Sequence, residues 1–369
     1  MLLAGAWLWR AETPALDKAQ EDHALTALTA LTAQSGNAGF ARAEGPHAFS
    51  FPRDHAAHPD FRSEWWYFTG HLRDDQGRAR GFQLTLFRFA LAATHEPSPS
   101  AWRAPQVLLG HFALSDIDAG KFHAYERMSR VLPGVAGSSA TPPAVWLDDW
   151  RIENFTRDGA DGWRIAAAQD GVELQLELSA ASAVVLQGEA GLSRKSAAPG
   201  NASYYYSVPR LRAQGRLRLG DGEHAVSGSA WLDREWSTSA LARAQSGWDW
   251  FALQLDDGAS LMFYRLRQRD GGADRFSAGT YVDAQGKVLR LAATDVSIEA
   301  TGVWHSPHSG RSYPQGWRLH VTRAGLALTL APRLADQEWQ GRFRYWEGAV
   351  TVTSDGQPVG LGYVELTGY

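Results

Sequence analysis

The sequence predicts an all-β fold of two antiparallel β-barrels in tandem, and three observations carry that expectation. Polar and apolar residues alternate along many short runs, Asp-Gly pairs punctuate the runs, and the second half of the chain repeats the first. Alternation is strict in 172–178 (VELQLEL), 317–321 (WRLHV) and 326–330 (LALTL), and shorter in 217–219 and 350–352. A strand sends successive side chains to opposite faces, so each run reads as a strand with one wet face. Seven Asp-Gly dipeptides begin at Asp158, Asp161, Asp170, Asp221, Asp257, Asp270 and Asp355. They supply the positive φ angles of tight hairpins, which links the strands antiparallel.

The repeat gives the tandem arrangement. Trp66-Tyr67, Leu72 and the turn Asp75-Gln-Gly77 match Trp250-Phe251, Leu255 and Asp257-Gly258. At the far ends, 228–233 (GSAWLD) matches 360–365 (GLGYVE), so each half closes on glycine, a small residue, an aromatic and an acid. One duplicated β unit accounts for both matches. The expected division is a lead over 1–42, a first barrel over 43–240 and a second over 241–369. Insertions in the first half are expected at 97–105, 132–143 and 190–201, the last two placed to cover a cavity mouth.

Composition narrows the function. The chain has 369 residues, enough for two cores. A net charge of −4 gives no basic footprint, so nucleic-acid binding is not expected. The absence of cysteine removes disulfides, thiolate nucleophiles and sulfur-ligated metals. Sixteen Trp, fifteen Phe and eleven Tyr suit wide β cores and the walls of apolar pockets. No apolar run is long enough to span a membrane as a helix. Leu2–Trp9 reads as the remnant of a signal peptide, which points to the periplasm or to secretion.

No Gly-x-Ser-x-Gly elbow, His-Glu-x-x-His, phosphate loop or dinucleotide fingerprint occurs, so no hydrolytic nucleophile, metal site or cofactor is called for. Asp54-His55-x-x-His58 is taken as structural, since it lies in an extended stretch between Pro52 and Pro59. Glu64 heads a strand of aromatics and must pair or lose its charge. Arg53 and Arg88 are its candidate partners, and the alternatives are a structural ion pair and a catalytic role. In 231–236 (WLDREW), alternation puts Trp231, Asp233 and Glu235 on one face, and Leu232 and Arg234 on the other. Asp233 among aromatics would hold its proton near neutrality and could give it to an alkene, with aromatic faces steadying the cation. The competing reading pairs Asp233 with Arg234 at an interface. The same alternation puts Tyr204 and Tyr206 together, beside Asp233, and Trp65 and Tyr67 join the candidate ligand-binding aromatics.

The motifs at 52–55 (PRDH), 64–67 (EWWY), 231–236 (WLDREW), 247–250 (GWDW), 345–348 (YWEG) and 362–369 (GYVELTGY) together resemble the AttH-like and carotenoid 1,2-hydratase (hydroxyneurosporene synthase) superfamily, over about residues 45–369. The resemblance implies two lipocalin-like barrels. It implies that Asp233, in the family's aromatic-x-Asp motif, protonates a terminal isoprenoid double bond. The family's Tyr there is Trp231 in this chain, and its upstream His-x-Trp falls on Tyr204-Tyr205-Tyr206. The expected function is therefore binding of a large apolar, isoprenoid or lipid-like molecule, elaborated by acid-catalysed hydration of a double bond. A non-catalytic carrier is the alternative, and a hydrolase is a weaker one.

Overall fold

The computed structural model describes residues 37–93, 105–220, 222–239 and 241–369. Residues 1–36, nearly all of the 97–105 insertion and Asp221 lie outside this set. The first sheet contains β1 (Ser63–Asp74), β2 (Ala79–Ala90), β3 (Gln106–Asp116), β4 (Lys121–Arg130), β5 (Ala136–Ala140), β6 (Pro143–Leu147), β7 (Trp150–Arg157), β8 (Ala160–Gln169), β9 (Val172–Ala180), β10 (Val185–Leu186), β11 (Leu192–Arg194), β12 (Ala202–Leu219) and β13 (Gly222–Ser237). The second half contains β14 (Gln245–Leu255), β15 (Ser260–Gln268), β16 (Ala278–Val282), β17 (Val288–Ala292), β18 (Val296–Ala300), β19 (Val303–His305), β20 (Ser312–Pro314), β21 (Trp317–Val321), β22 (Leu326–Pro332), β23 (Glu338–Gln340), β24 (Arg344–Ser354) and β25 (Gln357–Thr367).

The first sheet runs in the order β4-β3-β2-β1-β13-β12-β9-β8-β7-β6-β5 and curls into a nearly closed barrel. The second runs β17-β16-β15-β14-β25-β24-β22-β21-β18. Every pairing is antiparallel, as the hairpin signals require. The fold is all-β with two lipocalin-like halves. Asp158-Gly159, Asp170-Gly171 and Asp355-Gly356 turn with positive φ at both residues. Asp161-Gly162 does not turn. It lies inside β8, and a Cβ on Gly162 would sit 2.4 Å from the Phe155 ring, so glycine is there for packing. The 132–143 insertion is not irregular throughout, because β5 forms within it.

In each half, first and last strands pair in the same register. Tyr67 lies opposite Asp233 across β1 and β13, and Trp250 opposite Glu365 across β14 and β25. The repeat therefore aligns Tyr67 with Trp250, one residue away from the sequence match of Trp66 with Trp250. A slip of one residue exchanges faces. Trp66 is in the first core, whereas Trp250 faces the other sheet.

Each barrel has its own apolar core. Trp66, Phe68, Leu86, Tyr206, Leu232 and Trp236 belong to the first; Phe251, Leu253, Trp317, Trp346 and Val364 to the second. The alternate residues of β1, β12, β13, β14 and β25 form a third cluster, in which Tyr67, Tyr205, Trp231 and Trp250 join Met262, Tyr264 and Tyr363. These central strands are buried on both faces. Pro209 cannot donate a ladder hydrogen bond, and β12 bulges between Val208 and Leu211. Arg210 leaves the sheet there and donates to the carbonyls of Leu255 and Ala259 at 2.5 and 2.6 Å, tying the two sheets.

Glu64 is fully buried at the end of the first barrel. It is paired with Arg88 and, at 3.1 Å, with Arg234, and it accepts from His58 at 3.2 Å. These cations and donors outweigh burial and hold its carboxyl far below the usual range. Arg53 is not a partner: it is exposed and reaches Asp54 at 3.2 Å. His55 and His58 act structurally. His55 bonds Tyr206 at 2.6 Å, and His58 stacks on Trp236 with centroids 3.7 Å apart. Arg88→Met removes one of the two arginines that neutralise a buried carboxylate and is expected to cost about 3–5 kcal/mol in urea unfolding. Arg53→Ala, which removes an exposed cation from an Asp54 that keeps its other partners, is expected to cost less than about 1 kcal/mol.

Candidate functional site

The site follows from the strands buried on both faces. Where the two sheets face each other, side chains turned away from the barrel cores leave a cavity of about 260 Å³. From the first sheet it is lined by Trp65 and Tyr67 (β1), Phe87 and Phe89 (β2), Leu109 and His111 (β3), Asp233 and Glu235 (β13) and Tyr205 (β12). From the second come Trp248 and Trp250 (β14), Tyr264 and Leu266 (β15), Glu365 (β25) and Tyr345 (β24). Along β1 and β13 the lining deepens toward Tyr67 and Asp233. Ser63, Trp65, Lys195, Leu241, Trp248 and Phe343 are partly exposed at the rim, and Tyr67, Tyr205, Asp233 and Trp250 are buried at the floor. The cavity thus lies between the two sheets, not inside one of them.

Asp233 is 3% exposed. The Trp231 indole donates to its Oδ1 at 2.7 Å, Ser207 donates to the same oxygen at 2.5 Å, and Tyr205 contacts Oδ2 at 2.5 Å. Desolvation is the largest influence on this carboxyl, and Glu235 adds repulsion; the three hydrogen bonds oppose both. Desolvation prevails and pushes the pKa up to about 6. Asp233 does not pair with Arg234, whose side chain goes to the opposite face and contacts Glu64. Glu235 meets Lys195 at 3.1 Å, and the Lys195 ammonium lies 4.1 Å above the Tyr264 ring. The 190–201 insertion thereby contributes to the cavity wall.

Tyr204 and Tyr206 are not beside Asp233. Both lie in the first core, where Tyr204 donates to the Gly45 carbonyl at 3.0 Å and Tyr206 bonds His55. Pairing of Tyr205 with Glu235 and of Ser207 with Asp233 puts Tyr205 on the cavity face instead. Trp231 reaches Asp233 through its indole N–H but packs in the inter-sheet cluster and is not a lining residue. Glu64 and Asp233 are on opposite faces of the sheet, so only Asp233 reaches the cavity.

A second set of acids went unrecognised in the sequence. Glu365 lines the cavity and accepts from the Trp248 indole at 2.7 Å. Glu347, its partner across β24 and β25, lies behind the floor and accepts from Tyr67 at 2.5 Å. Burial raises both carboxyls above the usual range, with added repulsion from Glu365 at Glu347 and from Asp233 and Glu235 at Glu365, which is pushed up to about 7. The signal was present: the repeat already matched Glu365 with Asp233. Around the floor Tyr67 and Trp250 meet edge to face at 5.1 Å, and the Trp250 indole donates to the Tyr205 hydroxyl at 3.2 Å. A buried acid whose pKa is raised by desolvation, set among aromatic faces, can protonate an alkene from its protonated form. Among the described residues no group of three metal-ligating side chains is assembled, and no helix is long and apolar enough to cross a membrane.

The raised Asp233 pKa has a stability consequence. A carboxyl whose folded pKa exceeds its unfolded value favours folding fully only below the unfolded value. That contribution is lost as pH rises through about 6. Asp233→Asn is therefore expected to stabilise the protein above pH 6 by about 1–3 kcal/mol and to leave it unchanged near pH 4. Urea melts at the two pH values check this.

Comparison with known proteins agrees with this architecture. A crystal structure of an AttH-type protein of Nitrosomonas europaea is 36% identical, with a TM-score of 0.78 over 89% of this chain and 100% of that one. Kievitone hydratase of Nectria haematococca shares the fold at 16% identity and a TM-score of 0.65, over 89% and 98% of the two chains. No curated protein sequence matches the chain. The AttH-like family model matches residues 42–369, and the chain belongs to that family.

Proposed function

We propose that this AttH-like protein binds an apolar, isoprenoid or lipid-like alkene between its two sheets and hydrates the double bond, with Asp233 as general acid. The observation that carries the reading is a buried carboxyl with no cation bonded to it at the floor of an aromatic cavity. Asp233 gives its proton to one alkene carbon; the neighbouring carbon becomes cationic and takes a water oxygen; the water then releases a proton. The faces of Tyr67 and Trp250 stabilise the cation. The cavity volume limits the enclosed part of the ligand. A cavity of about 150 Å³ holds a benzene ring, so 260 Å³ admits roughly ten carbons. A longer chain would have to extend past the rim. The resemblance in fold to a hydratase is consistent with this chemistry but supplies only the scaffold.

The test is incubation with farnesol, a fifteen-carbon isoprenoid alcohol, and separately with a bacterial lipid extract, in heavy-oxygen water. Mass spectrometry is expected to find a product heavier by one water, labelled in its new hydroxyl. Asp233→Asn, folded by circular dichroism, is expected to lose at least about 10²-fold in kcat. A molecule retained unchanged by both proteins would make this a carrier.

A further inference from the structure

The inter-sheet cavity is polar on one side and apolar on the other. β12 lies against β14, β1 against β25 and β2 against β24, so the cavity runs from the β12–β14 side to the β2–β24 side. Lys195, Glu235, Ser237 and Ser239 line the first side, and Phe87, Phe89, Leu109 and Phe343 the second. Polar groups on the second side are engaged with one another or turned away. His111 bonds Tyr345 at 2.7 Å, and Glu126 lies 3.4 Å from its other ring nitrogen. Arg344 alternates with Tyr345 along β24, and its charge is felt at Tyr313 in the second half.

The register supplies a ruler. Glu235, Trp65, Phe87 and Leu109 are partners in turn across β13, β1, β2 and β3, and so form one row. Three strand spacings separate the ends of this row, about 14 Å. An extended carbon chain covers that length in about eleven bonds, close to the size that the cavity volume admits. Asp233 is in the next row, two residues before Glu235 and about 7 Å along β13. The acid therefore sits beneath the polar end of the row, and Leu109 stands at the far end.

Lys195 and Glu235 have the chemistry to hold a head group. An ammonium has three donors, and Glu235, at 3.1 Å, and Tyr264 engage two of them. Glu64 is held between two arginines, but Glu235 has one cation, and its second carboxyl oxygen has no partner among the described residues. The wall thus offers a donor and an acceptor side by side without net charge. A hydroxyl uses both at once, whereas an anionic head would be drawn to Lys195 and repelled by Glu235.

We infer that Lys195 and Glu235 form a subsite for the hydroxyl head of a neutral amphiphile, whose tail lies across Phe87 and Leu109. Asp233 then meets a double bond in the head-side half of the chain, and the tail tip is out of its reach. In farnesol the outermost isoprene unit would pass Phe343 and leave the cavity. The position of hydration rests on the hydration reading; the subsite itself does not.

Two experiments test this. Binding is measured calorimetrically in Asp233→Asn, so that turnover does not interfere. The ligands are farnesol, farnesene, which lacks the hydroxyl, and farnesyl phosphate. Adding Lys195→Met, folded by circular dichroism, is expected to weaken farnesol about tenfold and farnesene less than about twofold. Adding Glu235→Gln instead leaves the Lys195 charge uncompensated, and farnesyl phosphate is expected to gain at least about fivefold over farnesol. Equal losses for farnesol and farnesene in the first variant, or an unchanged preference between alcohol and phosphate in the second, would overturn the subsite. So would an absence of farnesol binding.

The second experiment locates the heavy-oxygen hydroxyl in the product of farnesol and the wild-type protein by fragmentation. A hydroxyl on the inner or middle isoprene unit is expected. One on the outermost unit would overturn the orientation and leave the hydration reading intact. No hydration at all would overturn that reading and the position with it, and the binding comparison would still decide the subsite.

Discussion

Burial of the central strands on both faces is the constraint on which the rest of the structure depends. β1, β12, β13, β14 and β25 each give one face to a barrel core and the other to the facing sheet. Side chains alternate, so in the stretches buried on both faces, such as 202–209 of β12 and 230–237 of β13, every second residue is committed to the inter-sheet space. The Arg210 tie and the Tyr67–Glu347 bond then hold the sheets at the spacing that leaves a cavity. The cavity is a consequence of docking two sheets that each carry their own core, and its acids are desolvated because both sheets bury them.

The structure treats its buried carboxylates in two opposite ways. Glu64 is surrounded by Arg88, Arg234 and His58 and stays ionised. Asp249, fully buried in β14, has the same solution with Arg265 and Arg267. These pairs fix the barrels. Asp233, Glu347 and Glu365 have indole, phenol or hydroxyl neighbours instead, and desolvation dominates them. A carboxyl with cation partners is a structural pin, and one without them is an acid. Duplication produced both kinds.

Much of the fold was legible in the sequence because its signals are local. Alternation along 172–178 and 326–330 marks strands that are wet on one face, and Asp-Gly marks the hairpins. Glu64 and Arg88 were readable as a pair because a carboxylate among aromatics needs a cation. Two of the failures share one cause. In β12 the residues around Tyr204–Tyr206 are buried on both faces, so hydrophobicity carries no phase and the choice between Tyr204 with Tyr206 and Tyr205 with Ser207 had no signal. The one-residue misalignment of Trp66 with Trp250 arose in the same way, in strands apolar on both sides. Glu365 was overlooked although the repeat matched it to Asp233, because nothing local shows that two barrels face each other. Docking is a long-range property.

The central claim is that burial in an aromatic, inter-sheet cavity raises the Asp233 carboxyl well above the usual aspartate range, to about 6. Infrared difference spectra of the wild-type protein minus Asp233→Asn, followed across pH 4 to 8, test it most directly through the carbonyl stretch of the protonated carboxyl. The account expects that band to persist through pH 5 and to disappear with a midpoint near 6. A midpoint at or below 4, the range of an exposed aspartate, would show that the cavity is wet and that Asp233 is not an acid poised to act.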